Sequence, residues 1–170
     1  MKRERCKLDG IIMGIVKEYY RVEDKMIDYF IQNPEEASDY FDNNYCFMGG
    51  KYHDNPERHF YLDKSWDEII PLLIKCDKSE NNIVKEINGI SFRYFDDPFY
   101  IKSELAAEIC DALQLIVEEE LREAYNISKM KSNELNDDLW KNYFLLYINK
   151  LKAAFQTAKR FKDGIVINAC

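Results

Sequence analysis

Apolar residues in the middle of the chain recur at helical spacing and predict the element around which the fold is organised. They stand at positions i, i+3, i+4 and i+7 and are Trp66, Ile69, Ile70 and Leu73. Asp63 precedes this stripe, where a carboxylate can accept a hydrogen bond from an unpaired backbone N–H group. The pattern therefore predicts a helix that Asp63 caps and that buries Trp66 as an anchor of the core.

Short runs rich in β-branched and aromatic residues predict strands near both ends of the chain and in its middle. The first run covers residues 11–16 and continues through Tyr19 and Tyr20. The second covers residues 89–95, and the third covers residues 165–167. The two terminal strands are expected to lie close together in one sheet.

Helical patterns fill the sequence between these strands. Helices are expected to begin at Glu23, Pro34, Ser103 and Trp140. The helix that Ser103 caps is expected to run to Leu121, and residues 96–98 are expected to form a turn before it. This order of elements predicts an α+β fold: a small sheet formed by the N- and C-terminal strands and a central strand region, packed by several helices.

Residues 42–61 interleave turn-forming residues with aromatic ones and predict little regular structure. A stretch of this length without a regular element is typical of a functional loop or of a partly mobile one. Tyrosine offers a large contact area with a polar tip at a small cost in entropy, so such a loop suits protein recognition. The candidate binding residues are Tyr40, Tyr45, Tyr52 and Tyr61. The alternative is that these rings only cover the core.

Composition and charge narrow the classes of protein. Hydrophobic residues make up 46% of the chain, so a core can form without disulfides or metal. The 24 basic and 31 acidic residues give a formal net charge of −7, which argues against nucleic-acid binding because that function needs a basic face. No run approaches the ~20 apolar residues of a membrane helix, so we expect no membrane association.

The five cysteines indicate a reducing compartment. They lie far apart, at positions 6, 46, 76, 110 and 170, and include no Cys-x-x-Cys pair. Neither a zinc knuckle nor a thioredoxin-type site is therefore expected, and a cytoplasmic location is the simplest interpretation.

Candidate chemistry is sparse. The two histidines, His53 and His59, could bind a metal with Asp54 or Glu57, but their six-residue spacing matches no common ligand pattern. Acidic pairs such as Asp137-Asp138 read as solvated surface, and a Cys46–His59 pair cannot be tested from spacing alone. We expect no cofactor and no metal, and catalytic residues cannot be assigned.

Several segments together resemble the YfbM-like proteins, a bacterial family of small domains of unassigned function. The resemblance rests on Leu62-Asp63-Lys64 with Trp66, on Met13-Gly14-Ile15 followed by Tyr20-Arg21-Val22, on Leu139-Trp140, and on Asp163-Gly164-Ile165-Val166. It implies a shared fold over a single domain, residues 1–170, and it brings no catalytic residue. Residues 1–12 look like an N-terminal extension, so Met13 is a candidate translation start.

Two functions from different classes are compatible with these patterns. The leading hypothesis is a non-catalytic protein-binding module, immunity- or inhibitor-like by analogy, whose acidic tyrosine-rich surface would favour a basic partner. The alternative is a small hydrolase-type enzyme with carboxylates or His53 and His59 in a cleft. A deep pocket with converging polar groups would favour the enzyme, whereas a broad convex aromatic patch would favour the binding module. The sequence does not fix the oligomeric state.

Overall fold

The computed structural model describes residues 16–93, 96–129 and 137–169. Its five strands form one antiparallel sheet in the order β2-β1-β5-β4-β3. The strands are β1 (Lys17–Val22), β2 (His59–Tyr61), β3 (Ile90–Arg93), β4 (Asp96–Ile101) and β5 (Gly164–Ala169). The predicted α+β class is confirmed, and the strands from the two ends of the described chain, β1 and β5, lie side by side in the middle of the sheet.

Helices and helical turns connect the strands. The α-helices are α1 (Asp24–Gln32), α2 (Pro34–Phe41), α3 (Trp66–Lys75), α4 (Ser103–Leu115), α5 (Glu118–Lys129), α6 (Asp137–Leu139) and α7 (Leu145–Phe161). Two π-helical turns extend this set, Asp42–Cys46 after α2 and Trp140–Phe144 before α7. Shorter 3₁₀ turns cover Asp63–Ser65 and Ile83–Asn88. Within the part of the chain described here, no helix combines the length and the apolar character needed to cross a bilayer.

The sheet is packed on both faces because side chains alternate along each strand. Tyr19 of β1 belongs to the larger core, together with residues of α3, α4, α5 and α7. Tyr20, the next residue, belongs to a smaller core on the other face, together with residues of α1 and α2. The sheet thus separates two helical layers, and any polar residue on a strand must be accommodated beneath one of them.

The predicted organising helix exists, but its predicted cap is wrong, and its tryptophan packs against the larger core from an only partly buried position. Asp63 does not cap α3, since its carboxylate accepts hydrogen bonds from the hydroxyl groups of Tyr143 (3.0 Å) and Tyr61 (3.3 Å). Asp63 has a φ of 52°, a left-handed conformation that turns the chain into the 3₁₀ segment before α3. Trp66 is only half-buried, with the Lys17 ammonium 4.2 Å from its ring centroid. The tryptophan enclosed by the larger core is Trp140, which is 1% exposed.

The predicted helix from Ser103 to Leu121 is interrupted. Its chain turns extended at Ile116 (φ −83°, ψ 114°), which buries this side chain and separates α4 from α5. The Lys152 ammonium donates a hydrogen bond to the Ile116 carbonyl over 2.7 Å, and this contact satisfies a group that the break leaves without a helical partner.

One further expectation differs from the structure, and another falls partly on residues that it does not describe. Residues 96–98, predicted as a turn, begin strand β4, and Asp96 pairs with Arg93 across the hairpin. The first strand begins at Lys17, whereas residues 11–15 of the predicted strand lie outside the described residues, as do residues 94 and 95.

Candidate functional site

The four predicted binding tyrosines occupy different environments. Tyr45 is 1% exposed and packs against Tyr20, with 4.5 Å between ring centroids. Tyr40 and Tyr52 are half-buried, and Tyr61 is 39% exposed. The alternative interpretation, that the rings cover the core, describes Tyr45. A binding role for the three accessible tyrosines stays a prediction.

A polar cluster lies on the sheet face that α1 and α2 cover. We call it the carboxylate cluster, and its members are Glu18, Tyr20, Cys46, His59 and Asn168. Strand register explains how four of them meet: Glu18 is paired with Asn168, and Tyr20 with His59, so all four side chains project from one face. Cys46 joins them from the π-helical turn Asp42–Cys46, and π-helical turns of this kind recur at functional sites.

The Glu18 carboxylate is the centre of the cluster. Its Oε2 atom accepts a hydrogen bond from the Tyr20 hydroxyl and lies 3.3 Å from Cys46 Sγ. The same oxygen lies 3.3 Å from His59 Nε2. Asn168 Nδ2 donates to Cys46 Sγ over 3.2 Å, which holds the thiol in place. One carboxylate oxygen therefore faces three donor groups inside a largely apolar layer.

His59 is positioned to be an imidazolium. Its Nδ1 atom is 2.7 Å from the His53 carbonyl oxygen, and its Nε2 atom faces the Glu18 carboxylate. Since both ring nitrogens face acceptors, only the doubly protonated ring can donate toward both. The Nε2 contact lacks the alignment of a hydrogen bond, so it contributes chiefly as an ion pair.

The surroundings of Glu18 and His59 shift both pKa values in the direction that favours the charged form of each side chain. Burial lowers the pKa of His59, but the Glu18 carboxylate and the His53 carbonyl outweigh burial, so this pKa is raised. Burial raises the pKa of Glu18, but the adjacent His59 ring and the hydrogen bond from Tyr20 outweigh it, so this pKa is lowered. Burial and the neighbouring Glu18 charge raise the pKa of Tyr20, which stays a neutral donor. Glu18 and His59 thus form a buried ion pair.

A cleft of about 610 Å³ opens beside this ion pair, along the edge strand β2. Polar side chains in its lining include those of Glu18, His53, Asp54, His59 and Lys150, and apolar ones include those of Phe60 and Ala153. The Glu18 contacts described above all involve Oε2. The Oε1 atom is not a fully buried oxygen without a hydrogen-bond partner. Oε1 is therefore the Glu18 oxygen that takes no part in these contacts, in a residue that lines the cleft.

The structure brings together residues that sequence spacing could not relate. The His53 and His59 rings lie 5.7 Å apart between centroids, and both line the cleft. Cys46 and His59 meet through the Glu18 oxygen that both approach. Across residues 16–93, 96–129 and 137–169, no group of three or more His, Cys, Asp or Glu side chains could hold a metal ion. Of the acidic pairs, Asp137-Asp138 is exposed, as predicted for solvated surface.

Sequence reasoning missed Glu18, the residue on which the cluster depends. A signal was present, because Glu18, Tyr20 and Val22 alternate with Tyr19 and Arg21 along one strand. A carboxylate at the same phase as two core residues must be buried, and a buried carboxylate needs partners.

A family model described as a domain of unknown function, DUF1877, matches residues 13–168. The chain belongs to the DUF1877 family. This chain is similar in fold to a solved structure, since the crystal structure of YfbM from Escherichia coli, described as a protein of unknown function, matches it with a TM-score of 0.61. The match covers 91% of this chain and 99% of YfbM at 14% sequence identity, so it concerns the fold alone. No curated protein matches this DUF1877 chain. The predicted YfbM-like resemblance is confirmed.

Proposed function

We propose that this protein is a small hydrolase-type enzyme whose catalytic residue is Glu18. The observation that carries the proposal is a buried carboxylate that lines a cleft, with one oxygen held by Tyr20, Cys46 and His59 and the other taking no part in those contacts. Convergent polar groups with shifted pKa values in a concave site are the pattern expected of an enzyme. The cleft therefore favours the hydrolase alternative over the non-catalytic module that was the leading hypothesis.

The electrostatics favour a nucleophile over a general base. A general base works best when its pKa lies near the working pH, whereas the pKa of Glu18 is lowered below its ordinary value. A carboxylate nucleophile must instead be ionised and fixed in direction, and both conditions hold here. Glu18 Oε1 would attack the electrophilic centre of the substrate, and the leaving group would depart with the electron pair of the bond that breaks. The covalent intermediate would be an ester for a glycoside, an anhydride for a carboxylic ester and an acyl phosphate for a phosphate ester, and water would then hydrolyse it and release Glu18. Tyr20 and His59 act as positioning residues.

The test is a hydrolysis panel of nitrophenyl carboxylic esters, phosphate esters and glycosides, measured on the wild type and on Glu18→Gln. Gln preserves the size of the side chain and removes its nucleophilicity. We expect turnover of one class and a fall in kcat of about 10³-fold or more in the variant. Glu36→Gln is the matched control, since Glu36 lies on the surface of α2 and should leave the rate unchanged.

A slowly hydrolysed substrate of the active class should leave a mass adduct on the peptide that contains Glu18. Absence of turnover in all three classes, or equal rates in Glu18→Gln and the wild type, would overturn the proposal. Loss of activity without an adduct on Glu18 would reject its role as the nucleophile.

A second candidate function is binding of a basic protein partner through residues 40–61. The observation that favours it is the turn that follows the π-helical segment, where Phe47 is 59% exposed and Met48 is 91% exposed. Gly50 N–H donates to the Phe47 carbonyl over 2.9 Å, so this turn holds two apolar side chains in solvent. Tyr52 lies close to the same segment through its contact with Tyr45, at 4.8 Å between ring centroids.

A pull-down from the native cell extract, followed by affinity measurements on the recovered protein, tests the second function. Met48→Ala and Tyr52→Ala should each weaken binding at least tenfold by faster dissociation, with folding checked first by circular dichroism. Lys85→Ala, on the distant 3₁₀ turn, is the control. If the recovered protein binds both variants as it binds the wild type, residues 40–61 do not form the interface.

A further inference from the structure

Lys150 introduces an uncompensated positive charge into the cleft. It projects from α7 into the same lining as Glu18 and His53. Its ammonium lies 4.8 Å from the ring centroid of Tyr147, and no carboxylate of the described residues lies within ion-pair distance of it. Lys159, further along the same helix, instead pairs with Asp111.

The other charged side chains of the cleft already have polar partners. Glu18 is paired with His59, and the exposed Asp54 carboxylate is 2.7 Å from His53 Nδ1. Among the cleft residues that the structure describes, Lys150 is thus a cation without a carboxylate partner. A buried or half-buried ammonium gains most from an oxyanion, because the charges attract strongly where water is partly excluded.

We infer that the substrate of this cleft carries an oxyanion, a carboxylate or a phosphate group, which Lys150 binds. The inference rests on the proposed hydrolase and names its substrate class. Phe60 and Ala153 supply apolar contact for the body of the substrate, and Glu18 Oε1 would attack its reacting centre. A cationic substrate would approach Lys150 against electrostatic repulsion, and Glu18 already has a cationic partner in His59.

The two histidines provide a direct readout of binding, because the chain contains no others and both line the cleft. Imidazole signals of His53 and His59, assigned with a His53→Gln variant, are followed by NMR during titration with inorganic phosphate and, separately, with acetate. In the wild type, at least one of the two anions should shift these signals and saturate at millimolar concentration, corresponding to about −4 kcal/mol. The anion that binds more tightly identifies the favoured group.

Three variants of one helical region make the test specific. Lys150→Gln should weaken binding at least tenfold, and Lys150→Arg should retain most of it, since Arg keeps the charge. Lys141→Gln is the matched control, because Lys141 is exposed on the preceding π-helical turn and does not line the cleft. Signals that do not move with either anion, or equal binding by Lys150→Gln and the wild type, would overturn the inference.

Failure of this inference is distinguishable from failure of the proposed function. The titration needs no turnover, so anion binding that depends on Lys150 stands even if Glu18→Gln proves the catalytic assignment wrong. Conversely, an active substrate whose KM is unchanged in Lys150→Gln would reject the oxyanion assignment and leave Glu18 as the catalytic residue. The expected result is a KM raised at least tenfold with kcat little changed.

Discussion

At the scale of single residues, neighbours decide whether a buried acid is charged. Burial alone would favour the neutral carboxyl of Glu18, yet donors from Tyr20 and His59 reverse that preference. The Glu18 carboxylate and the His53 carbonyl in turn raise the pKa of His59, although burial acts in the opposite direction. The charge on each residue therefore depends on the other, and removal of either one leaves a buried group without compensation.

This coupling predicts a pH-dependent stability. Because the pKa of His59 is raised on folding, its contribution is complete below the ordinary histidine pKa of about 6.5 and is lost as the pH rises through the folded value. The lowered pKa of Glu18 acts in the other direction, and its contribution is lost as the pH falls through the folded value. Above a pH of about 6.5, the free energy of unfolding should thus decline with rising pH more steeply in the wild type than in His59→Gln. Urea unfolding at a series of pH values measures this, and parallel profiles would contradict it.

The two tryptophans should differ in their contribution to stability. Trp140 is fully buried, so Trp140→Ala should cost about 3–5 kcal/mol of unfolding free energy. Trp66 is half-buried beside Lys17, and Trp66→Ala should cost clearly less. Trp140→Phe should be mild, since the Trp140 Nε1 group finds no hydrogen-bond partner among the described residues and its removal relieves that deficit. Urea denaturation of the three variants is the measurement, and a larger loss in Trp66→Ala than in Trp140→Ala would contradict this assignment.

At the scale of elements, helix ends are controlled by residues distant in sequence. Asp24, the first residue of α1, accepts hydrogen bonds from the backbone N–H of Ser103 (3.0 Å) and from its hydroxyl (2.6 Å). Ser103 is the first residue of α4 and not its cap, contrary to the prediction, and the capping carboxylate comes from a helix in the other half of the chain. Sequence spacing cannot reveal such a partner.

Asp24→Ala should therefore destabilise the protein by about 1–2 kcal/mol, because the start of α4 loses its acceptor. Asp28→Ala is the matched control on the same helix, since Asp28 forms only a solvent-exposed ion pair with Lys102 and should contribute little. Thermal or urea unfolding of both variants checks the difference. Similar losses of unfolding free energy in the two variants would indicate that the negative charge of α1, and not the contact with Ser103, stabilises the start of α4.

Local sequence patterns predicted that most of the helices and strands exist and of which type they are, but they did not predict where these elements begin and end. The stripe from Trp66 to Leu73 predicted α3, and residues 165–167 lie within β5. The prediction that Asp63 caps α3 is wrong because the hydroxyl groups of Tyr61 and Tyr143 donate to its carboxylate, and Tyr143 is remote in sequence. The break at Ile116 likewise depends on Lys152 of α7, a tertiary contact without a local signature.

At the scale of the whole molecule, the candidate site follows from the sheet order. Glu18, His59 and Asn168 come from β1, β2 and β5, which are neighbours in space and distant along the chain. The alternation of β1 could have indicated a buried carboxylate, but the partners of Glu18 could not be known without the pairing of strands. The cleft itself required the approach of α7 to the edge strand.

The fold as a whole should not depend on metal, as the sequence predicted. His53 and His59 are engaged by Asp54 and Glu18, respectively, and the two cores consist of apolar and aromatic side chains. Incubation with a strong chelator should leave the melting temperature within about a degree of its starting value. A fall of several degrees that added zinc restores would overturn this expectation.

The distribution of strand lengths has a consequence for the behaviour of many copies in solution. The longest strands, with six residues each, lie inside the sheet, whereas the edges are β2 with three residues and β3 with four residues and an irregular register near Ser91. A strand edge presents unpaired N–H and C=O groups on which a second molecule can template cross-β growth. Edges this short and irregular offer a poor template. Concentrated folded protein should therefore give no thioflavin signal on prolonged incubation, and fibres would grow only after the central strands have come apart.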